Sequence, residues 1–242
     1  MTEAELAIVR RAYAKQILAV FGVTDPRVEA AFAAVRREAY LGPGPWPWPI
    51  WYLYRRGYVA TPSDDPVYLY QDALVGIIPD RGVNNGQPSL HAMLIAAAAP
   101  RPGEHVVHIG AGVGYYTAIL AHTVGESGRV TAIEFDGGLA VRLWANFAGQ
   151  PNLRALQGDG TQIAFDPADV IYVNAGATRP ADIWLDRLKR WRPADPAPDL
   201  GQRFRREPRK HTDPAPRCGI RHQAQRRRIP REMDFGRRDL SV

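Results

Sequence analysis

The chain has 242 residues, 45% hydrophobic and 23% charged, with a formal net charge of +6 at pH 7. That composition reads as a soluble globular protein rather than a disordered or membrane one. No apolar run is long enough for a membrane span, and the opening MTEAELAIVRRAYAKQILAVF carries acids and bases where a secretory leader needs an apolar stretch, so neither a span nor export is expected. The single cysteine, Cys218, excludes an internal disulfide and a cysteine-based structural metal site, and a reducing, cytoplasmic setting is expected.

The positive charge is not spread evenly. Residues 1–188 carry 15 Lys and Arg against 18 Asp and Glu, a net of −3, whereas residues 189–242 carry 16 against 7, a net of +9.

In chain order, Leu6, Val9, Tyr13, Ile17 and Val20 recur at helical spacing over residues 3–19. The pattern repeats over residues 26–40 behind Pro26, so the chain is expected to begin with a helical subdomain. Residues 42–54, GPGPWPWPIWYLY, alternate prolines that exclude a regular helix. There Trp46, Trp48, Trp51 and Tyr52 either line a substrate groove or seal the helical start against the next part of the chain. Pro88 opens a helix over residues 88–99. A strand at 106–110, a helix at 115–124, a strand at 129–134, a helix at 138–149 and strands at 153–158 and 168–175 come after it. This alternation predicts an α/β fold with a doubly wound, mostly parallel sheet, whose ligands bind beyond the carboxyl ends of the strands.

The motif that carries chemistry is VVHIGAGVGYYTAILA, residues 106–121. Gly110, Gly112 and Gly114 fall where the first strand turns into its helix, and their lack of Cβ lets a ligand approach the backbone amides and the positive helix end. The spacing G-x-G-x-G differs from the dinucleotide fingerprint G-x-G-x-x-G, and no Gly-Lys-Ser/Thr comes after it to make a P-loop. Glu134 closes the second strand, 24 residues after Gly110, where a carboxylate accepts from both hydroxyls of a ribose; the plainer reading is an exposed strand-end charge. Asp159, between Gly158 and Gly160 at the third strand end, is placed to accept from an exocyclic amine such as that of adenine. Together the three loops describe a nucleoside pocket read by carboxylates.

With these residues in place, the run from Tyr70 to about Leu188 resembles the protein-L-isoaspartate O-methyltransferases, a family of class I S-adenosylmethionine-dependent methyltransferases. HIGAGVGYYTAILA, GRVTAIE, NLRALQGDG and VNAGAT stand in that family's order. YQD (residues 70–72), NNGQPSLHA (84–92) and VNAGAT (173–178) are its more specific parts. The resemblance implies a Rossmann-like methyltransferase sheet and methyl transfer from S-adenosylmethionine to a free carboxylate, that of an isoaspartyl peptide or protein or another carboxylate substrate. It implies that Gly110, Ala111, Gly112, Gly114, Glu134, Asp159 and Gly160 bind the cofactor. Gly86, Gln87 and Asn174 would lie at the transfer site, Asn174 meeting the reacting groups or serving as a turn-side amide. No metal is implied.

Two departures stand out. The family's GQTIS-type segment supplies a hydroxyl residue near the transferred methyl, whereas GVNNGQP, residues 82–88, places Gly86 there. After Leu188 the remaining strands of the family's sheet are expected to be missing or altered, because the chain changes at Lys189 to a segment with 14 Arg and 7 Pro. Its abruptness suggests a reading-frame shift, which sequencing the coding region tests. The expected organisation is therefore 1–69 helical and linker, 70–188 methyltransferase domain, and 189–242 a basic tail expected to be disordered or loosely wrapped. That tail has charge for nonspecific nucleic-acid contact, and a sheet edge left bare would invite self-association.

Among smaller candidates, His91 faces either the ligand or the core, and His105, His108 and His122 form no metal-ligand pattern. Asp72 is a candidate for ordering the loop over the cofactor; of Tyr115 and Tyr116, one is expected to face the core. Other readings are methylation of a small molecule or nucleic acid, and a catalytically weak S-adenosylmethionine-binding interaction protein. The VNAGAT run lacks the Asn/Asp-Pro-Pro-aromatic sequence that an adenine-N6 methyltransferase uses.

Overall fold

A computed structural model of the chain describes residues 1–49 and 57–189. Trp51, Tyr52, Cys218 and the basic segment from residue 190 lie outside the described residues.

Helix α1 (Glu3–Val20) starts at a capping box in which Thr2 and Glu5 exchange side-chain-to-backbone hydrogen bonds. Helix α2 (Pro26–Ala34) starts at Asp25, whose carboxylate accepts from Arg27 N, with Pro26 in its first turn. The single helix expected over residues 26–40 is not formed. Val35 turns extended, and a one-turn helix α3 (Glu38–Leu41) resumes after Arg37. The break carries the Arg37 side chain into the interior, fully buried, where it donates to the carbonyls of Leu69, Gln71 and Ala73. Those carbonyls belong to a loop thirty or more residues away, which periodicity cannot register.

Strands β1 (Pro47–Pro49) and β2 (Tyr58–Ala60) pair antiparallel, and so do β3 (Gly76–Ile78) and β4 (Val83–Asn84). Trp46 is buried with Leu69 and Val75, and its indole donates to Gly42 O at 2.9 Å. Of the two roles considered for the tryptophan-rich segment, Trp46 takes the seal.

Helix α4 (Pro88–Ala98) leads to the main sheet. After it come strand β5 (His105–Ile109), helix α5 (Tyr115–Val124), strand β6 (Arg129–Glu134), helix α6 (Gly137–Asn146), strand β7 (Leu153–Gln157), strand β8 (Val170–Val173) and helix α7 (Asp182–Arg187). The sheet order is β7-β6-β5-β8, and every pairing is parallel. All five residues of β5 are buried, as a central strand covered on both faces requires.

Alternation along the strands divides the core. Val106, Val130 and Tyr172 join Tyr13, Ile17, Phe32, Ile95 and Ile119 from α1, α2, α4 and α5. Val107, Ile109 and Ile133 point the other way, onto Phe165 and Trp184 of the α7 side. Successive strand residues face opposite layers, so one register fixes both cores. Beside β8, Ala168 forms a parallel bridge with Leu188, and Lys189 N donates to Ala168 O at 2.8 Å.

Candidate active site

The chain order reverses on either side of β5, which has β6 on one flank and β8 on the other. Ligands of open α/β sheets bind at such a reversal, beyond the carboxyl ends of the strands. A cleft of about 270 Å³ opens there, lined by residues that include Gly110, Phe135, Asp159, Gly160, Ala175 and Trp184.

The three loops are tied by backbone hydrogen bonds that extend the ladder past the strand ends. Gly110 N and Ala111 N both donate to Ile133 O, Asn174 N donates to Ile109 O, and Gly158 N donates to Glu134 O. Glu134 is only 7% exposed. Its Oε2 accepts from Gly112 N at 2.7 Å and its Oε1 from Asp136 N at 2.9 Å. Each oxygen retains a further acceptor site, so the carboxylate braces the glycine loop and can still receive hydroxyls. The reading of Glu134 as a freely exposed strand-end charge is overturned by these two bonds.

The glycines divide into two kinds, and the expectation that all of them open the backbone to a ligand needs correcting. A Cβ on Gly110 would stand 2.5 Å from Asn174 O, and one on Gly114 would stand 2.6 Å from the Phe147 ring. Protein atoms fill those spaces. Gly112, at φ +57°, has nothing within 4 Å of the same position, so it is where the loop can admit a ligand. Gly160 O accepts from the buried Trp184 indole at 2.7 Å, which fixes the floor of the cleft.

Asp159 is exposed. Its Oδ1 accepts from Thr161 N and Thr161 Oγ1, both at 2.8 Å, and the backbone bond first, then the hydroxyl, holds the carboxyl below its ordinary value. Its other oxygen has no donor among the described residues. Phe135, 75% exposed at the mouth of the cleft, belongs to none of the motifs in the sequence; its signal is an aromatic residue directly after the strand-end acid. The Asn174 side chain is exposed next to Gly110.

Gly86 and Gln87 sit in a separate cluster at the start of α4. Gln87 Nε2 and Ser89 N donate to the two oxygens of Asp72, so Asp72 caps α4 and Gln87 is held by it. Gly86 adopts φ +76°, its N donates to Asn84 Oδ1, and its carbonyl accepts from Tyr116 OH. A Cβ on Gly86 would stand 2.2 Å from His91 Nε2.

His91 is 3% exposed, stacks on Tyr116 with ring centroids 3.6 Å apart, and meets Tyr172 OH through Nδ1 at 2.6 Å. Burial first, and the nearby Arg37 charge second, push it down to about 4, so it is neutral near pH 7. Tyr115 and Tyr116 are both buried, where one was expected to be. His108 bonds Thr117 Oγ1 and is pushed by burial down to about 3, while His105 bonds Thr131 Oγ1. Among the described residues no cluster of three metal-ligating side chains occurs, and no helix is long and apolar enough to cross a membrane.

Residues 53–191 match the family model for protein-L-isoaspartate(D-aspartate) O-methyltransferase. The protein-L-isoaspartate O-methyltransferase of Thermotoga maritima is 28% identical over 177 residues, covering 72% of this chain and 50% of that protein. Protein-L-isoaspartate O-methyltransferase 1 of Rhodopseudomonas palustris is 34% identical over 174 residues, covering 70% and 61%. The chain thus spans half to about three-fifths of the length of these relatives. A solved protein-L-isoaspartate O-methyltransferase superposes with a TM-score of 0.59 at 28% identity, covering 74% of this chain and 52% of that one. The beta-aspartate methyltransferase of Plasmodium falciparum, solved with S-adenosyl-L-homocysteine, gives 0.55 at 19% identity, covering 74% and 79%, a likeness of fold.

Proposed function

The chain belongs to the protein-L-isoaspartate(D-aspartate) O-methyltransferase family, and from that premise we propose that it transfers a methyl group from S-adenosylmethionine to a free carboxylate, first of all that of an isoaspartyl residue in a damaged protein. The observation that carries this reading is Glu134, a nearly buried carboxylate held beneath the one glycine of the loop with open space around it.

The residues present fit the cofactor. Glu134 has acceptor capacity left for ribose hydroxyls, the unengaged oxygen of Asp159 suits an adenine amine, and the exposed Phe135 ring offers a face for the base. Gly112 gives the backbone approach. The cleft, at about 270 Å³, lies at the small end of ligand pockets and suits the nucleoside portion. When bound, S-adenosylmethionine supplies a methyl group on a sulfonium, an activated donor. The protein's part is placement: Glu134 and Asp159 fix the nucleoside, and the backbone bonds across β6, β5 and β8 hold the loops rigid. A carboxylate acceptor needs no base, so the absence of a hydroxyl side chain at position 86 leaves the chemistry open.

The Arg-rich segment beyond residue 189 belongs to this reading only as a nonspecific anion contact, supported by its charge. The test is release of S-adenosylhomocysteine when full-length protein meets an isoaspartyl peptide. The expected result is release with that peptide and not with its ordinary aspartyl counterpart. Release with neither, by protein that binds the cofactor, would contradict it.

A further inference from the structure

Position 86 lacks a side chain, and the space that side chain would fill is held by an imidazole. His91 Nε2 lies 2.2 Å from where a Cβ on Gly86 would be, beside a backbone that is only half-buried. His91 reaches this place from the first turn of α4, clamped between the Tyr116 ring on its face and Tyr172 OH on Nδ1. Nε2 has no hydrogen-bond partner among the described residues, yet it is not sealed in as His108 Nε2 is.

The tautomer is set by the partner. Tyr172 OH is buried and has no other acceptor among the described residues, so leaving its proton unused would cost the desolvation of a buried donor. Tyr172 therefore donates to Nδ1, and the neutral ring carries its hydrogen on Nε2. The charge around it suits an anion. Arg37 lies close enough to bear on His91, and its guanidinium is matched by carbonyls rather than by a carboxylate. The Asp72 carboxylate is committed to Ser89 N and Gln87 Nε2.

We propose that His91, through Nε2–H at the place vacated by Gly86, is the hydrogen-bond donor that holds the acceptor carboxylate, with Tyr172 as the positioning residue that fixes its tautomer. This rests on the carboxylate-methylating reading above. One oxygen of the acceptor takes the imidazole hydrogen bond, and the other stays free to attack.

The test uses full-length protein, S-adenosylmethionine and an isoaspartyl peptide, with thermal unfolding as a check on each variant. His91→Ala is expected to raise the peptide KM about tenfold, the loss of one hydrogen bond to a charged group, with cofactor affinity unchanged. Tyr172→Phe keeps the ring packing and frees the tautomer, so KM rises and kcat holds. His91→Gln, whose amide nitrogen reaches the Nε2 position and restores an N–H donor there, recovers part of the loss, a rescue that a packing role would not give. Folded His91→Ala and Tyr172→Phe with wild-type KM would overturn the proposal while leaving the methyltransferase reading intact. Wild-type protein that binds cofactor but neither methylates the peptide nor binds it in the presence of S-adenosylhomocysteine overturns both.

Discussion

The two ends of the functional region are held together by different means. Around the cleft at the strand ends, the glycine loop, Glu134 and the Gly158-Asp159-Gly160 turn are joined by short backbone hydrogen bonds that continue the sheet, such as Gly110 N to Ile133 O and Gly158 N to Glu134 O. At the start of α4, the groups come from distant parts of the chain and meet through side chains: Arg37 on Leu69, Gln71 and Ala73, Asp72 on Ser89, and His91 on Tyr172. The first end is a property of a strand-turn-helix unit and its neighbours. The second exists only once the N-terminal helices have packed, so it is the end where one substitution has the widest structural consequence.

The largest stability effect is therefore expected at Arg37. Arg37→Ala strips three interior carbonyls of their donor and leaves a cavity, and chemical denaturation should show a loss of at least about 3 kcal/mol. Arg37→Lys should recover only part, because one ammonium cannot reproduce the fork. A loss under 1 kcal/mol, on the order of a surface change, would break the contrast between the two ends.

At the cofactor end the glycines sharpen it. Gly110→Ala drives a Cβ onto the Asn174 carbonyl, which is backbone and cannot swing away, so about 2–5 kcal/mol of stability should be lost. Gly112→Ala meets no atom and should cost only about 1–2 kcal/mol of left-handed strain. Its cofactor affinity should nonetheless fall, because the added methyl occupies the open space over the loop. Equal stability losses at the two positions would show that crowding does not separate them.

These contrasts mark what the sequence can and cannot express. Helix 115–124 was legible because it opens directly from the Gly110-Gly112-Gly114 loop, and the structure places α5 over the same residues. The parallel strands were legible as short apolar runs between glycine turns. The helix expected over 26–40 fails because the break at Val35 is made by carbonyls of the loop at Leu69, Gln71 and Ala73, a demand that no local window contains. Likewise, nothing in PSLHA says that His91 will stand where a side chain at Gly86 would be. That relation needs the left-handed turn at Gly86 and the first turn of α4 together. Phe135 stands in plain view after Glu134, yet only its 75% exposure separates it from a core aromatic.

A smaller, graded effect is expected with pH. His91 is pushed down to about 4 and His108 to about 3, both by burial, whereas the unfolded chain protonates its histidines near pH 6.5. The stability contributed by keeping them neutral is complete above that value and is lost as pH falls, because the unfolded state then binds more protons. The slope is about 1.4 kcal/mol per pH unit for each histidine, levelling near pH 4 for His91 and pH 3 for His108. Denaturation midpoints measured from pH 7 to pH 4 should fall accordingly and flatten in part in His91→Gln. A midpoint independent of pH over that range would contradict the buried, neutral assignment.

The smallest effect is expected at an exposed ion pair beside the start of α6. Arg81 donates to Asp136 Oδ2 at 2.6 Å, with the Arg81 side chain mostly in solvent. Asp136 keeps its cap on α6 through Gly138 N and Leu139 N without it. Arg81→Ala should move Tm by less than about 2 °C.

A carboxylate-lined nucleoside pocket at the end of β6 is open to direct measurement. Titration calorimetry of S-adenosylmethionine into full-length protein, beside the Glu134→Ala, Asp159→Ala double variant, tests it most directly. Saturable one-to-one binding by the wild type is expected, with its loss in a variant that still unfolds cooperatively. Wild-type protein that is folded and takes up no cofactor, or a double variant that binds as tightly as the wild type, would contradict it.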